Sequence, residues 1–307
     1  MSTQWQHIKP SDILTKEESH DLRQRSDAWG FWLIFHCWVV IAAAMALYAY
    51  LPNPFTLIFG LILIGGRQLG LSILMHEGSH GLLFKTRSLN EWITQIFAAW
   101  PTIVSLQAYR VRHMAHHRFT RTERDPENYL YTPFPVTKAS MMRKFLRDLT
   151  GIVFLRTQYG IFRFVWGSKQ GRSTRLIGFY GGPLVFHAAM IGGFNAFGRV
   201  DLYLLLWLLP MATSYQLFLR IRNIAEHAAV EDLDDPLKNS RTTLAGPIAR
   251  TLFAPYWVNF HIEHHMLPYV PCYRLPTIHR LMYERGFGER MSVVKGYGEV
   301  IRLNSSA

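Results

Sequence analysis

FWLIFHCWVVIAAAMALYAY at 31–50, LPN at 51–53 and PFTLIFGLILIGGRQLGLSILMHEGSH at 54–80 decide the fold. The runs Phe31–Tyr50 and Pro54–Met75 are each long enough to cross a hydrocarbon layer of about 30 Å at about 1.5 Å per helical residue. Pro52 and Pro54 break the chain into a tight turn between them, and Asp27 or Ser26 can cap the first helix. Two further apolar runs follow, Leu176–Phe197 and Leu202–Leu219. This pattern predicts an all-α integral membrane protein with four spans in two transmembrane helical hairpins and a helical cap. Neither a solenoid repeat nor a low-complexity linker interrupts the 307 residues, so one domain is expected. Its parts are an N-terminal segment (1–26), the first hairpin (27–80), an interfacial region (81–175), the second hairpin (176–220) and a C-terminal region (221–307).

Composition narrows the class. An aromatic content of 14% and the absence of a Gly-X-Y period exclude disorder and collagen. Two cysteines, Cys37 and Cys272, cannot build a disulfide framework, and no C-x-x-C is present to bind zinc or an iron–sulfur cluster. Lys plus Arg outnumber Asp plus Glu by 33 to 21, and their placement carries more information than the total. Residues 1–30 hold four basic side chains, 76–175 hold sixteen and 220–307 hold eleven, whereas the turn Leu51–Asn53 holds none and Gly198–Asp201 only Arg199. The positive-inside rule therefore places both termini and both large polar regions in the cytoplasm. Anionic lipid accounts for the excess charge, and no nucleic-acid-binding motif accompanies it. Residues 1–26 lack the features of a secretory signal.

Three segments carry secondary expectations. Trp92–Leu106, interrupted by Pro101, is too short to span and reads as a re-entrant or surface-lying helix. Met142–Trp166 mixes Arg143, Lys144, Arg147, Arg156 and Arg163 with apolar residues, as an amphipathic segment in the headgroup layer does; a helix packed on the cytosolic domain is the alternative. Gly181, Gly182, Gly192 and Gly193 offer close helix approach in the second hairpin.

Eight of the fourteen histidines fall into three clusters. His76 and His80 form H-x3-H in MHEGSHG. His113, His116 and His117 form H-x2-HH in RHMAHHRFT, and His261, His264 and His265 form another in FHIEHHMLP. Spacings of three and four put side chains on one helix face, so each cluster can present imidazoles to a common point. A lone HH pair is commonly surface decoration, but two H-x2-HH matches with an H-x3-H exceed coincidence. Eight nitrogens also exceed what one tetrahedral zinc uses, and they suit two metals of higher coordination number.

The three boxes, their order and their placement around two hairpins resemble the membrane-bound fatty acid desaturase and hydroxylase superfamily. The resemblance covers about Phe31 to Arg280 and extends to HHRFTRTERDPE, RNIAEH and HHMLPYVPCYRLP. It implies two iron ions in a di-iron centre, O2 as cosubstrate and electrons from an external donor. Carried over residue by residue, it implies iron ligation by His76, His80, His113, His116, His117, His261, His264 and His265. Acyl-CoA desaturases add a histidine four residues after an asparagine; here Asn223 and His227 match, His227 as a ligand and Asn223 as a water-mediated contact. Local capping by Asn223 and local packing by His227 is the plainer alternative.

Other residues receive quieter readings. His36 and His187 lie within spans and are expected to make interhelical hydrogen bonds; His7, His20 and His279 are expected to be solvated. Arg67 is expected to pair with polar groups such as Ser214 or Gln216, although an acyl headgroup or carboxylate would also serve. Asp125, Glu226, Glu263 and Asp235 are candidate acceptors for ligand N–H groups, with surface capping as the default.

The implied activity is attack on unactivated C–H bonds of a long fatty acyl chain, free or carried on CoA, acyl carrier protein or a glycerolipid. Desaturation leads. Hydroxylation, oxidative decarboxylation to a terminal alkene, and oxygenation of carotenoids or sphingolipid bases share the same boxes. No H-P-G-G motif marks a fused cytochrome b5, so ferredoxin or cytochrome b5 with its reductase is the expected partner. The rival from another class is an intramembrane zinc protease, because His76–Glu77–Gly78–Ser79–His80 is a literal H-E-x-x-H. That chemistry leaves six clustered histidines unexplained.

Overall fold

The computed structural model describes residues 8–167 and 171–305, and His7 lies outside them. The described chain is mostly helical, and four of its helices are long and apolar enough to cross a membrane. The first, α1 (Asp27–Tyr50), starts where the Ser26 side chain accepts the Trp29 amide. Asp27 is turned elsewhere, its carboxylate accepting the Thr86 amide at 2.9 Å and hydroxyl at 2.7 Å. The second, α2 (Pro54–Ser79), starts at a capping box: Asn53 accepts the Phe55 and Thr56 amides, and Pro54 occupies a position needing no donor. Beyond α2, Arg87–Thr94 (α3) runs on through a π turn and a 3-10 turn to Thr102, too short to span. It lies against the end of α2, where Asn90 Nδ2 donates to the Gly78 carbonyl at 2.9 Å.

The next helix, α4 (Leu106–Phe119), carries the second histidine box. The amphipathic stretch expected over Met142–Trp166 is two helices, α5 (Lys138–Leu149) and α6 (Ile152–Trp166). Gly151 separates them with φ +79°, a conformation that costs other residues energy. The third long helix, α7 (Arg172–Ala196), and the fourth, α8 (Val200–His227), follow. Arg220 ties α8 to α5 through both carboxylate oxygens of buried Asp148, at 2.5 and 2.8 Å. The remainder holds α9 (His261–Met266), α10 (Leu275–Glu284), α11 (Tyr297–Asn304) and a two-stranded parallel pair, β1 (Thr242–Thr243) with β2 (Val293–Val294).

Burial orders these helices. Of the apolar windows, 67% of α2 but only 11% of α7 is buried, so α2 is the central post and α7 stands at the periphery. Peripheral placement explains why Gly192 and Gly193, expected to mediate close approach, have nothing within 4 Å of where a Cβ would sit. Gly182 alone of that set meets a neighbour closely, the Trp100 ring. Several glycines on α2 are also closely approached. A Cβ on Gly66 would stand 2.8 Å from the Thr251 carbonyl oxygen and 3.1 Å from Leu252 Cα. The segment Pro247–Leu252 is thereby seated ten residues before His76, about 15 Å along α2. The C-terminal region thus does not lie wholly beyond the ends of the apolar helices. Gly66→Val is expected to destabilise the fold by about 1–3 kcal/mol, because backbone rather than a flexible side chain must yield. Thermal unfolding in detergent checks this, and an unchanged midpoint would refute the close packing.

Candidate metal centre

Four helices deliver nine imidazoles to one place. The end of α2 carries His76 and His80, α4 carries His113, His116 and His117, α8 ends at His227, and α9 carries His261, His264 and His265. Their ring nitrogens form two groups, His76–His80–His113–His117–His264 and His116–His227–His261–His265, with atoms in each group within 4.8 Å of one another. Helical spacing sorts them. Residues four apart stay together: His76 with His80, His113 with His117, His261 with His265. The odd members, His116 and His264, are turned about 100° from an immediate neighbour, and each joins the opposite group. Boxes two and three therefore both straddle the groups. The rings of His117 and His265, one from each group, stack with centroids 4.3 Å apart.

The Nε2 atoms converge. In the first group His80 to His113 is 2.9 Å, His113 to His117 is 3.0 Å and His117 to His264 is 3.1 Å. In the second, His227 to His261 is 2.8 Å and His261 to His265 is 3.1 Å. Two nitrogens about 2.1 Å from a cation and at right angles to each other would be about 3.0 Å apart, whereas tetrahedral neighbours would be about 3.4 Å apart. These edges, and a five-nitrogen group, fit a cation with more than four ligands. Unsatisfied atoms point the same way: both nitrogens of His76 are buried without a hydrogen-bond partner. A cation shared by the converging nitrogens satisfies the Nε2 lone pairs at once.

Partners on the far ring nitrogen set the tautomer. His116 Nδ1 lies 3.0 and 3.1 Å from the two oxygens of Asp125, which can only accept, so Nε2 is left with its lone pair inward. His227 Nδ1 donates to the Asn239 carbonyl at 3.3 Å, and His265 Nδ1 is 3.4 Å from Thr120 Oγ1. Glu226 Oε1 stands 3.5 Å from His261 Nδ1 and 2.5 Å from Arg222 Nε. Burial pushes Asp125 up, but hydrogen bonds from His116, Tyr131 and the Glu127 amide outweigh it and hold the carboxyl at about 2. Burial drives His80 down to about 3 and His117 to about 2, and His113, His261, His264 and His265 well below their ordinary value. These rings are neutral at physiological pH, the form that ligates metal.

Metal-stripped protein should consequently weaken in acid. An unfolded histidine takes its proton near pH 6.5, whereas the buried rings refuse one until far lower pH, so the unfolded state gains protons first. Stability present above about pH 6.5 is lost as pH falls toward about 3, where His80 titrates. Unfolding midpoints of chelator-treated protein at successive pH values test this, and a midpoint that rises on acidification would contradict it.

Glu77 is fully enclosed, and its Oε2 accepts the Cys272 amide at 2.9 Å. The glutamate of the literal H-E-x-x-H thus holds the chain just beyond box three through one oxygen, while the other lies 3.4 Å from His76 Nδ1. Several other expectations change. His279 is not solvated: its Nδ1 bonds to Glu263, whose other oxygen accepts Thr242 Oγ1 at 2.6 Å. Glu263 therefore serves His279 and not a clustered imidazole. Asp235 caps a turn, accepting the Leu237 amide at 2.9 Å. Arg67 donates to the Thr251 carbonyl, while Ser214 bonds to Leu61 and Gln216 to Met211. A segment far along the chain packs on Arg67 first, which periodicity cannot show. His36 and His187 do bond across elements, to the Tyr256 and Tyr203 hydroxyls at 3.1 and 3.0 Å. His20 is 3.2 Å from Gln24 on an exposed helix face. Asn223 accepts from Arg222 Nη1 at 3.2 Å, one turn before His227. Tyr131, Asn239 and Arg222 were invisible as supports, because each acts from a turn or face that only folding brings near.

The family model described as Fatty acid desaturase matches residues 52–292, which include all nine histidines. Dihydrorhizobitoxine desaturase of Bradyrhizobium elkanii is 24% identical over 243 residues, 74% of this chain and 68% of the relative. A beta-carotene ketolase of Paracoccus sp. (strain PC1) is 25% identical over 257 residues, 80% of this chain and 86% of the relative. Its counterpart from Paracoccus sp. (strain N81106 / MBIC 01143) is 24% identical over 255 residues, with the same shares. With the match covering both polar and apolar parts of the fold, the chain belongs to the fatty acid desaturase family, as an oxidoreductase of the membrane di-iron desaturase and hydroxylase superfamily.

Proposed function

We propose that this chain is a di-iron, O2-dependent membrane enzyme that introduces a double bond into a long fatty acyl chain. One iron is held by His76, His80, His113, His117 and His264, the other by His116, His227, His261 and His265. Asn223 contributes through water. The observation that carries this reading is the sorting of nine imidazoles, six buried and three half-buried, into two groups whose ring nitrogens converge. When bound, the iron pair supplies oxygen activation and the oxidising power to break an unactivated C–H bond. The residues do the rest. Asp125 and the Asn239 carbonyl keep Nε2 of His116 and His227 turned inward, and Glu77 anchors the chain after box three. Enclosure of the rings excludes water that would quench a reactive site. The balance is two hydrogens from adjacent carbons and two electrons with two protons from outside, reducing O2 to two waters.

By the positive-inside rule the basic regions and both termini face the cytoplasm, and the centre lies at that margin, where ferredoxin or cytochrome b5 with its reductase delivers electrons. The acyl chain is free or carried on CoA, acyl carrier protein or a glycerolipid. A second reading, oxygenation of a carotenoid, is favoured by the ketolase relatives, which match over 86% of their own length. Mass spectrometry of acyl lipids, free fatty acids and volatiles from expressing cells decides between them, run also in a carotenoid-producing host. A new internal double bond is expected; a keto- or hydroxycarotenoid would select the second reading. No new product from iron-loaded protein supplied with either donor would sink both.

A further inference from the structure

The second apolar helix carries one charged side chain within its apolar stretch, Arg67, which is 4% exposed. Among the described residues it has no carboxylate partner, and its Nε is buried without a hydrogen bond. An uncompensated cation in an apolar helix is costly and is retained where it performs a task. Here its Nη2 donates to the Thr251 carbonyl, and the Tyr256 ring centroid lies 5.8 Å from its guanidinium carbon. The same tyrosine reaches α1: its hydroxyl donates to the Leu33 carbonyl at 3.3 Å and lies 3.1 Å from His36 Nδ1. A Cβ on Gly70 would be 3.0 Å from that ring, so α2 is notched to admit it. The segment 251–257 is thus wedged between α1 and α2 by its carbonyl, ring and hydroxyl.

This wedge is held in an unfavourable shape. Tyr256 and Trp257 have φ +54° and +59°, the left-handed region that non-glycine residues avoid and that persists only when surroundings enforce it. From there the chain has no slack before box three. Phe260 donates its amide to the Trp257 carbonyl at 3.1 Å, Asn259 Nδ2 bonds the Thr243 carbonyl at 3.0 Å, and His261 begins α9.

We propose that Arg67 is a positioning residue for the third histidine box, latching the loop 251–260 so that α9 supplies both metal groups in register. The inference depends on the two-metal reading above and deepens it. Box three gives one of five imidazoles to the first group but two of four to the second. Release of the latch therefore falls on the second group.

The test uses the full-length chain purified in detergent, with iron per chain measured by elemental analysis and iron affinity by chelator competition. Arg67→Met is expected to remain monodisperse and keep the first iron, while affinity for the second falls about 10–100-fold, the usual effect of losing an outer support. Arg67→Lys, which retains a donor for the Thr251 carbonyl, is expected to restore most of that affinity. Equal iron content and affinity in Arg67→Met and the unaltered protein would overturn the latch. If Arg67→Met does not fold, Tyr256→Phe keeps the ring and removes the hydroxyl, with its contacts to Leu33, His36, Cys37 and Arg67; weaker binding of the second iron supports the latch, and unaltered affinity overturns it. Failure of the unaltered protein to bind two irons would overturn the two-metal reading and the latch with it.

Discussion

His264→Ala is expected to eliminate turnover, with product formed per chain falling more than about 100-fold, beyond the usual cost of losing an outer support. His264 is 3% exposed, and its Nε2 lies 3.1 Å from that of His117. It is the only imidazole that α9 gives to the first group. On the proposed two-metal reading, truncation to alanine takes one imidazole from the first group and leaves space that water can enter, which would undermine both affinity and water exclusion. Iron content and product rate should be measured on the same preparation. Persistence of a tenth or more of the activity with unchanged iron would remove His264 from the metal centre.

Asp125→Ala is the second large expected effect, about a 10–100-fold loss of iron affinity in the group containing His116. Asp125 gathers four donors: His116 Nδ1, the Tyr131 hydroxyl, the Arg121 amide at 3.0 Å and the Glu127 amide at 2.8 Å. Without it the His116 ring can take either tautomer, and the left-handed turn at Arg121, φ +63°, loses its anchor. Because these bonds hold the carboxyl at about 2, below its unfolded value, its stabilising contribution is present above about pH 4 and is lost only as pH falls through about 2. Acid loss of iron at about pH 5–6 in the unaltered protein should come from protonation of displaced histidines, not from Asp125. Chelator competition on Asp125→Ala measures the effect; unaltered affinity would reduce Asp125 to a turn residue.

Much of this was legible in one dimension. Hydropathy locates four long apolar helices because a membrane-crossing helix needs a continuous apolar run, and such a run survives in the sequence. Clustered histidines are visible because a helix repeats nearly every four residues, so His76 and His80 or His113 and His117 share a face whatever surrounds them. His227, with no histidine three or four residues away, is reached instead through the resemblance of RNIAEH to acyl-CoA desaturases. Boundaries were less legible: α8 continues to His227, beyond the apolar run ending at Leu219, because Arg220, Arg222 and Glu226 are paired inside the protein.

The chemistry of individual polar residues needed the fold. Glu77 reads as a protease base from its neighbours, yet it holds the amide of Cys272, 195 positions away. His279 looks solvated and is bonded to Glu263, while Arg67 meets Thr251, 184 positions along the chain. By itself, then, the sequence determined the number and approximate extent of the long apolar helices and the residue types able to bind metal, all set by short-range periodicity and hydropathy. Tertiary structure alone decided which histidines share a group, which nitrogen of each faces inward, and which segment is wedged beside α2. Those outcomes depend on contacts between distant parts of the chain, and a hydrogen bond between them has no signature in local spacing.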